Sequence, residues 1–341
     1  MIRSRIYLAC LSLIFAACGG PDKTEQIPEP VMHVSLTTGS RIAFIRFASE
    51  NPQTATPVVF VGGDAGGYQV SDCAAGRNVE LYRNLAQSGF EVYVYDQAGC
   101  GLSDRLADPW QYTIFRHVAD LEALRIGFGG KPFILVGDSW GATLCAMYMA
   151  IYPGNTVKAV FVSPGPIDPG RWTELKTPLP EIPKEMLDWA RTTGDADLSP
   201  RLVTLDQMML ADTSHVREIG PDSIMDPIFD RFTQSRLPSA VYDRSLVEDM
   251  EIHGMGWWSY WIARWTAANS SLRTVPILSQ DTTRVLVLHG DADYTSAQTA
   301  KEYASTFPNQ QYVEVAEAGH FLWLDKSDIY AKTVQEFLVQ E

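Results

Sequence analysis

The sequence predicts an α/β fold: a mostly parallel, eight-stranded sheet flanked by helices, with a helical cap inserted into it. Three observations lead there. Short apolar, β-branched runs alternate with helix-length amphipathic segments along most of the 341 residues. The later runs are almost wholly apolar, as strands covered on both faces must be. The alternation then stops between Gly165 and about Gln280, where a proline-rich stretch leads into helical sequence without strands and holds six of the nine tryptophans.

The strands expected in order are His33–Leu36, Arg41–Phe47, Pro57–Val61, Glu91–Asp96, Phe133–Val136, Val157–Val162, Arg284–His289 and Gln311–Val315. The first two are separated by a short turn and form an antiparallel hairpin at one edge. Helices are expected over Val79–Ser88, Ile114–Gly127, Gly141–Tyr152, Ala297–Phe307 and Ile329–Val339. In the second of these, Ile114, Val118, Leu121 and Leu124 recur close to the 3.6-residue period. Gly89, Gly129-Gly130, Pro153 and Pro308 end helices in the expected way.

The N-terminus reads as a targeting segment. Arg3 and Arg5 precede the apolar run Ile6 to Ala17, which is too short to span a bilayer comfortably. Phe15-Ala16-Ala17-Cys18 has the form of a lipobox, so residues 1–17 are expected to be a lipoprotein signal and Cys18 the lipidated residue. Residues 18–32 form a flexible tether, 33–164 the first part of the core, 165–280 the cap, and 281–341 the second part of the core. The expected location is a bacterial membrane facing the periplasm or exterior, with the outer membrane first, and the lipid as the only membrane contact.

Net charge is −14, and removing residues 1–17 takes two arginines and no acids, leaving about −16. An acidic surface argues against nucleic acid as a partner. A small molecule or short peptide is the expected substrate. Removal of the signal and lipidation of Cys18 leave Cys73, Cys100 and Cys145, and Cys73–Cys100 is the candidate disulfide of an exported protein. No zinc-ligand spacing and no His-Glu-x-x-His stretch occurs, so neither a metal nor another cofactor is expected.

Gly137-Asp138-Ser139-Trp140-Gly141 matches G-x-S-x-G. Such a pattern arises by chance in roughly one chain in ten of this length; its setting makes it informative. An apolar strand precedes it and a helix follows, which is what a nucleophile elbow requires. The turn lifts the serine hydroxyl above the sheet and leaves the Trp140 N–H at the start of a helix. A serine needs a base. Of six histidines, only His320 stands in a loop directly after the last strand. Asp293, in the loop after the seventh strand, is the expected orienting carboxylate, with Asp291 the alternative. The glycine-rich stretch Val61 to Gly67 follows the third strand, and the backbone of Gly63, or of Asp64, is the expected second donor beside Trp140 in an oxyanion hole.

These residues resemble the α/β-hydrolase fold, and within it the proline iminopeptidase branch. Gly-Asp-Ser-Trp-Gly-Ala-Thr-Leu and Tyr152-Pro153 carry the likeness. So do the segment Tyr95 to Ser103, similar to that branch's Asp-Gln-Arg-Gly-x-Gly-x-Ser, and the glycine loop, similar to its His-Gly-Gly-Pro-Gly-Gly. The resemblance spans roughly residues 55–165 and 284–325. It implies a serine hydrolase working through an acyl-enzyme, first an aminopeptidase, second a carboxylesterase or related acyl hydrolase. A surface lipoprotein that binds without catalysis is the reading from another class. The departures concern the substrate: Val61, Asp64, Asp138 and Ala98 stand where the branch has His, Pro, Gly and Arg. The branch's Trp-x-x-Trp-Glu, whose glutamate holds the substrate amine, has its nearest likeness in Trp261-Ile262-Ala263-Arg264-Trp265-Thr266, which lacks the acid. Asp64 is the candidate replacement, and Trp257 and Trp261 are candidate walls of the substrate site.

Overall fold

The computed structural model describes residues 29–63, 70, 73, 76–172 and 182–340. The signal, Cys18 and Asp64 lie outside the described residues, as does most of the tether. Eight strands form one sheet: β1 (Met32–Ser35), β2 (Arg41–Phe47), β3 (Thr56–Val61), β4 (Phe90–Tyr95), β5 (Phe133–Asp138), β6 (Thr156–Val162), β7 (Arg284–Gly290) and β8 (Gln310–Val315). Their spatial order is β1-β2-β4-β3-β5-β6-β7-β8. β1 pairs antiparallel with β2, and β2 with β4; every pairing from β4 onward is parallel.

Side chains alternate across the sheet with the two-residue period of a strand. Val59, Val61, Leu135, Phe161, Val285 and Val287 enter one buried cluster. Val58, Phe60, Ile134, Val136, Val160, Val162, Leu286 and Leu288 enter the other. Both faces are therefore covered. On the first face lie α2 (Ile114–Gly127), α3 (Trp140–Ile151) and α10 (Ala297–Thr306); on the second lie α1 (Val79–Gln87) and α12 (Ser327–Val339). Helix α3 is buried along almost its whole length, which accounts for its nearly unbroken apolar sequence.

Between β6 and β7 the described chain is helical: α4 (Lys184–Thr192), α5 (Leu198–Ala211), α6 (Val216–Ile219), α7 (Asp222–Arg236), α8 (Trp257–Ala268) and α9 (Val275–Leu278). The insertion has an aromatic centre. The Phe229 ring lies 5.7 Å from that of Trp257 and 4.7 Å from that of Tyr260. Trp257 and Trp261 pack on each other at 5.5 Å and are 0% and 5% exposed.

The insertion meets the loop after β4 at two kinds of contact. One is ionic. Arg105 Nη2 donates to Asp226 of α7 at 2.9 Å, and the other Asp226 oxygen accepts from the Trp257 N–H at 2.9 Å. The second is backbone on backbone. The Gly101 N–H donates to the Gly254 carbonyl at 2.7 Å, and a Cβ on Gly256 would stand 1.9 Å from the Gly99 carbonyl oxygen.

The expected Cys73–Cys100 disulfide does not form. Both side chains are buried and in no disulfide, as is that of Cys145. Cys73 belongs to the cluster on the α1 and α12 face, whereas Cys100 lies against Gly256 of the insertion and donates to the Gln97 carbonyl at 3.0 Å. The two cysteines follow neighbouring strands but serve different packing layers.

Candidate active site

Because β3, β5, β6, β7 and β8 are parallel, the loops leaving them gather on one rim of the sheet. This is where ligands of open α/β sheets bind. Gly63 follows β3, Ser139 follows β5, Asp293 follows β7 and His320 follows β8. The rim is laced by backbone hydrogen bonds. The Ser139 N–H donates to the Val162 carbonyl at 2.9 Å, the Gly165 N–H to the Ser139 carbonyl at 3.0 Å, and the Ala292 N–H to the Ala318 carbonyl at 3.0 Å.

Ser139 has φ 51° and ψ −112°, a backbone region costing a non-glycine residue about 1–3 kcal/mol. Tight packing around the turn holds it there. A Cβ on Gly141 would lie 2.2 Å from the Val61 carbonyl oxygen, so only glycine lets α3 approach β3 this closely. Trp140 is buried, and its indole N–H donates to Gln97 Oε1 at 3.3 Å. Gln97 in turn donates to the Gly62 carbonyl at 3.2 Å, tying the elbow to the loops after β3 and β4.

Asp293 and His320 meet directly. His320 Nδ1 and Asp293 Oδ1 are 2.8 Å apart, with side chains 2% and 0% exposed. The same oxygen accepts the Thr295 N–H at 2.7 Å. Burial would push this carboxyl up, but the hydrogen bond and charge of His320, the Thr295 N–H and His289 outweigh it and hold Asp293 below the usual carboxylate range. His289 Nε2 stands 3.7 Å from the second Asp293 oxygen. Asp291, the alternative carboxylate, is exposed. The remaining histidines have other settings. His117 is buried against Ser259, and desolvation pushes it down to about 3. His215 and His253 are exposed beside Asp212 and Glu251, and the His33 ring is exposed beside the Leu102 carbonyl.

Three further placements concern residues singled out in the sequence. Gly63 and Trp140 come together, and the Gly63 carbonyl takes the Trp140 N–H at 2.9 Å. The first N–H groups of a helix have no intrahelical partner, and a neighbouring carbonyl satisfies this one. Trp257 and Trp261 serve the centre of the insertion, where bulky aromatics bury most area. Thr266, at the end of the segment likened to the amine-binding motif, accepts the Ile114 N–H at 2.9 Å and so joins α8 to α2.

Two residues escaped the sequence reading. The Tyr294 ring, 63% exposed, lies over the His320 imidazole with centroids 4.3 Å apart; its place next to Asp293 was the available signal. Asp325, which accepts the Gly319 N–H at 2.8 Å, stands in a helix with nothing in its spacing to mark it.

Residues 56–327 match the family described as alpha/beta hydrolase fold. The chain belongs to this family. The hydrolase is similar to the proline iminopeptidase of Clostridioides difficile (strain 630), at 22% identity over 300 residues, 86% of this chain and 94% of that protein. It is similar to the proline iminopeptidase of Heyndrickxia coagulans at 34% identity over 127 residues, 37% of this chain and 41% of that protein. Among solved structures, a putative aryl esterase from Burkholderia cenocepacia has TM-score 0.60 and 18% identity, covering 91% of this chain and 98% of that one. An esterase from Exiguobacterium antarcticum has TM-score 0.57 and 14% identity, covering 90% and 99%. The structural likenesses are likenesses of fold.

Proposed function

We propose that this hydrolase cleaves an amide or ester bond through an acyl-enzyme on Ser139, with His320 as base and then acid and Asp293 as its orienting partner. The observation that carries the reading is the buried His320–Asp293 hydrogen bond on the rim where the strained Ser139 turn opens. In the first step the Ser139 hydroxyl oxygen bonds to the substrate carbonyl carbon while His320 takes the hydroxyl proton. Asp293 holds the Nδ1 proton and offsets the imidazolium charge. The proton then passes to the leaving amine or alcohol as the tetrahedral intermediate collapses. Water repeats the sequence to release the acid. The dipole at the start of α3 favours the negative oxygen of each intermediate, and the Trp140 N–H serves it once it leaves the Gly63 carbonyl.

Within this chemistry the first reading is an aminopeptidase of the proline iminopeptidase type. Its support is similarity to proteins of that name across most of their length and the motifs around Ser139. The second reading is a carboxylesterase or other small-molecule acyl hydrolase. It is favoured by Thr266, which offers no carboxylate for an amine, and by the neighbouring cation Arg264, stacked 4.2 Å from the Trp172 ring. For the first reading, Asp64 is the proposed amine partner. The test compares proline 4-nitroanilide, its N-blocked form and short-chain nitrophenyl esters. An aminopeptidase loses the anilide activity on blocking, and Asp64→Asn raises its KM. Ester turnover with no requirement for a free amine assigns the second reading instead. Full hydrolysis by Ser139→Ala refutes both.

A further inference from the structure

Both residues flanking His320 are tied to the helical insertion, Phe321 directly and Gly319 through one carboxylate. The Phe321 N–H donates to the Ala240 carbonyl at 3.0 Å. On the other side, Asp325 of α11 (Leu322–Asp325) accepts the Gly319 N–H through Oδ2 at 2.8 Å. The same carboxylate reaches into the insertion. It accepts the Tyr242 N–H at 2.9 Å through Oδ2 and the Asp243 N–H at 3.0 Å through Oδ1. A carboxylate has lone pairs for several donors and binds backbone N–H groups more strongly than a neutral acceptor does. Here it gathers three N–H groups from two segments far apart in the chain.

We infer that Asp325 is a positioning residue that clasps the insertion segment 240–243 to the loop carrying His320, so that the seating of the insertion sets the alignment of the base. This rests on the reading of His320 as base. Asp293 fixes the imidazole from its Nδ1 side, but the backbone that carries the ring is fixed by Asp325 and Ala240. Release of the clasp frees segment 240–243 and lets Gly319–Phe321 shift against Ser139. Misplacement of a catalytic group by about 1 Å costs about 100-fold in rate.

The test compares Asp325→Ala, Asp325→Asn, Ser139→Ala and the wild-type chain, with three readouts. Turnover uses whichever anilide or ester the wild type cleaves. The labelling rate of Ser139 by a small fluorophosphonate reports the base with little dependence on substrate fit. Hydrogen exchange reports residues 240–243 and 319–321. For Asp325→Ala the expected result is a fall in kcat of about 10- to 100-fold with a smaller change in KM. Labelling slows to match, and exchange rises together in both segments. Asn keeps one oxygen but, whichever way it is flipped, turns its amide NH2 against a backbone N–H of segment 240–243, so its kcat falls between those of the wild type and Asp325→Ala. Wild-type kcat and labelling rate in a folded Asp325→Ala overturn the clasp, as does faster exchange confined to 240–243. If Asp325→Ala does not fold, Asp325→Asn decides by the same measurements: lowered kcat and labelling support the clasp, and unchanged values overturn it. Activity surviving in Ser139→Ala refutes the nucleophile assignment itself, a different outcome from failure of the clasp.

Discussion

Asp226 sits where the insertion meets the core, and its charge carries a pH signature that one substitution isolates. Burial pushes its carboxyl from 3.8 up to about 6, against the opposing pull of the Trp257 N–H and of Arg105. The folded state therefore holds a proton there that the unfolded chain has released between about pH 4 and pH 6. Stability falls as pH rises through that window. The gap of roughly two pKa units corresponds to about 3 kcal/mol, complete above the folded value and absent below the unfolded one. Asp226→Asn mimics the protonated carboxyl in size and cannot ionise. The stability of the variant minus that of the wild type should then climb by up to about 3 kcal/mol from pH 4 to pH 7. Taking the difference cancels the titration of every other group that the substitution leaves alone. Urea unfolding midpoints at half-unit pH steps measure it. A difference that is flat across the window, or that falls, refutes the reasoning, since a fall means that the Arg105 attraction outweighs burial.

Three further outcomes are expected. Asp293→Asn keeps the fold but disturbs the orientation and proton placement of His320, lowering kcat by about 10⁴-fold; retention of a tenth of the activity in steady-state assays moves the orienting role to Asp291. Gly141→Ala drives a Cβ against the Val61 carbonyl and destabilises the fold by about 3 kcal/mol, read as a lowered unfolding midpoint with lost fluorophosphonate labelling; wild-type values for both show that α3 can yield. Tyr294→Leu removes the ring face over His320, worth about 0.5–1 kcal/mol to an imidazolium by analogy with exposed cation–π pairs, so kcat/KM falls roughly two- to fivefold while Tyr294→Phe retains it. Equal losses in both variants assign the effect to the hydroxyl.

The parts legible in the sequence were those with local causes. The apolar runs of β3 to β7 announce themselves because a strand buried on both faces has no polar positions to spare. Ile114–Gly127 was readable to the residue because its own period and the following Gly129-Gly130 define it. Ser139, Asp293 and His320 were placed on one rim by counting strands, since parallel strands send their exits the same way. What stayed hidden depends on contacts between distant segments. Nothing near Asp325 in the chain reveals that it will hold Tyr242, Asp243 and Gly319 together. The tryptophans at 257 and 261 have a spacing that suits a packed centre first and a substrate wall second, and the ring they pack on, Phe229, comes from another helix. The loop of Gly63 is legible as glycine-rich, yet that its carbonyl meets the orphan N–H of Trp140 depends on a segment far along the chain.

The seam at Gly99, Gly101, Gly254 and Gly256 has a mechanical consequence. Where the insertion rests on side chains, these bend and re-pack when one body shifts against another. Here main chain lies on main chain, with no compliant layer between. Strain arriving from the insertion reaches the β4 turn undamped, and through Gln97 it arrives at the Gly62 carbonyl and at the indole of Trp140, the residue after Ser139.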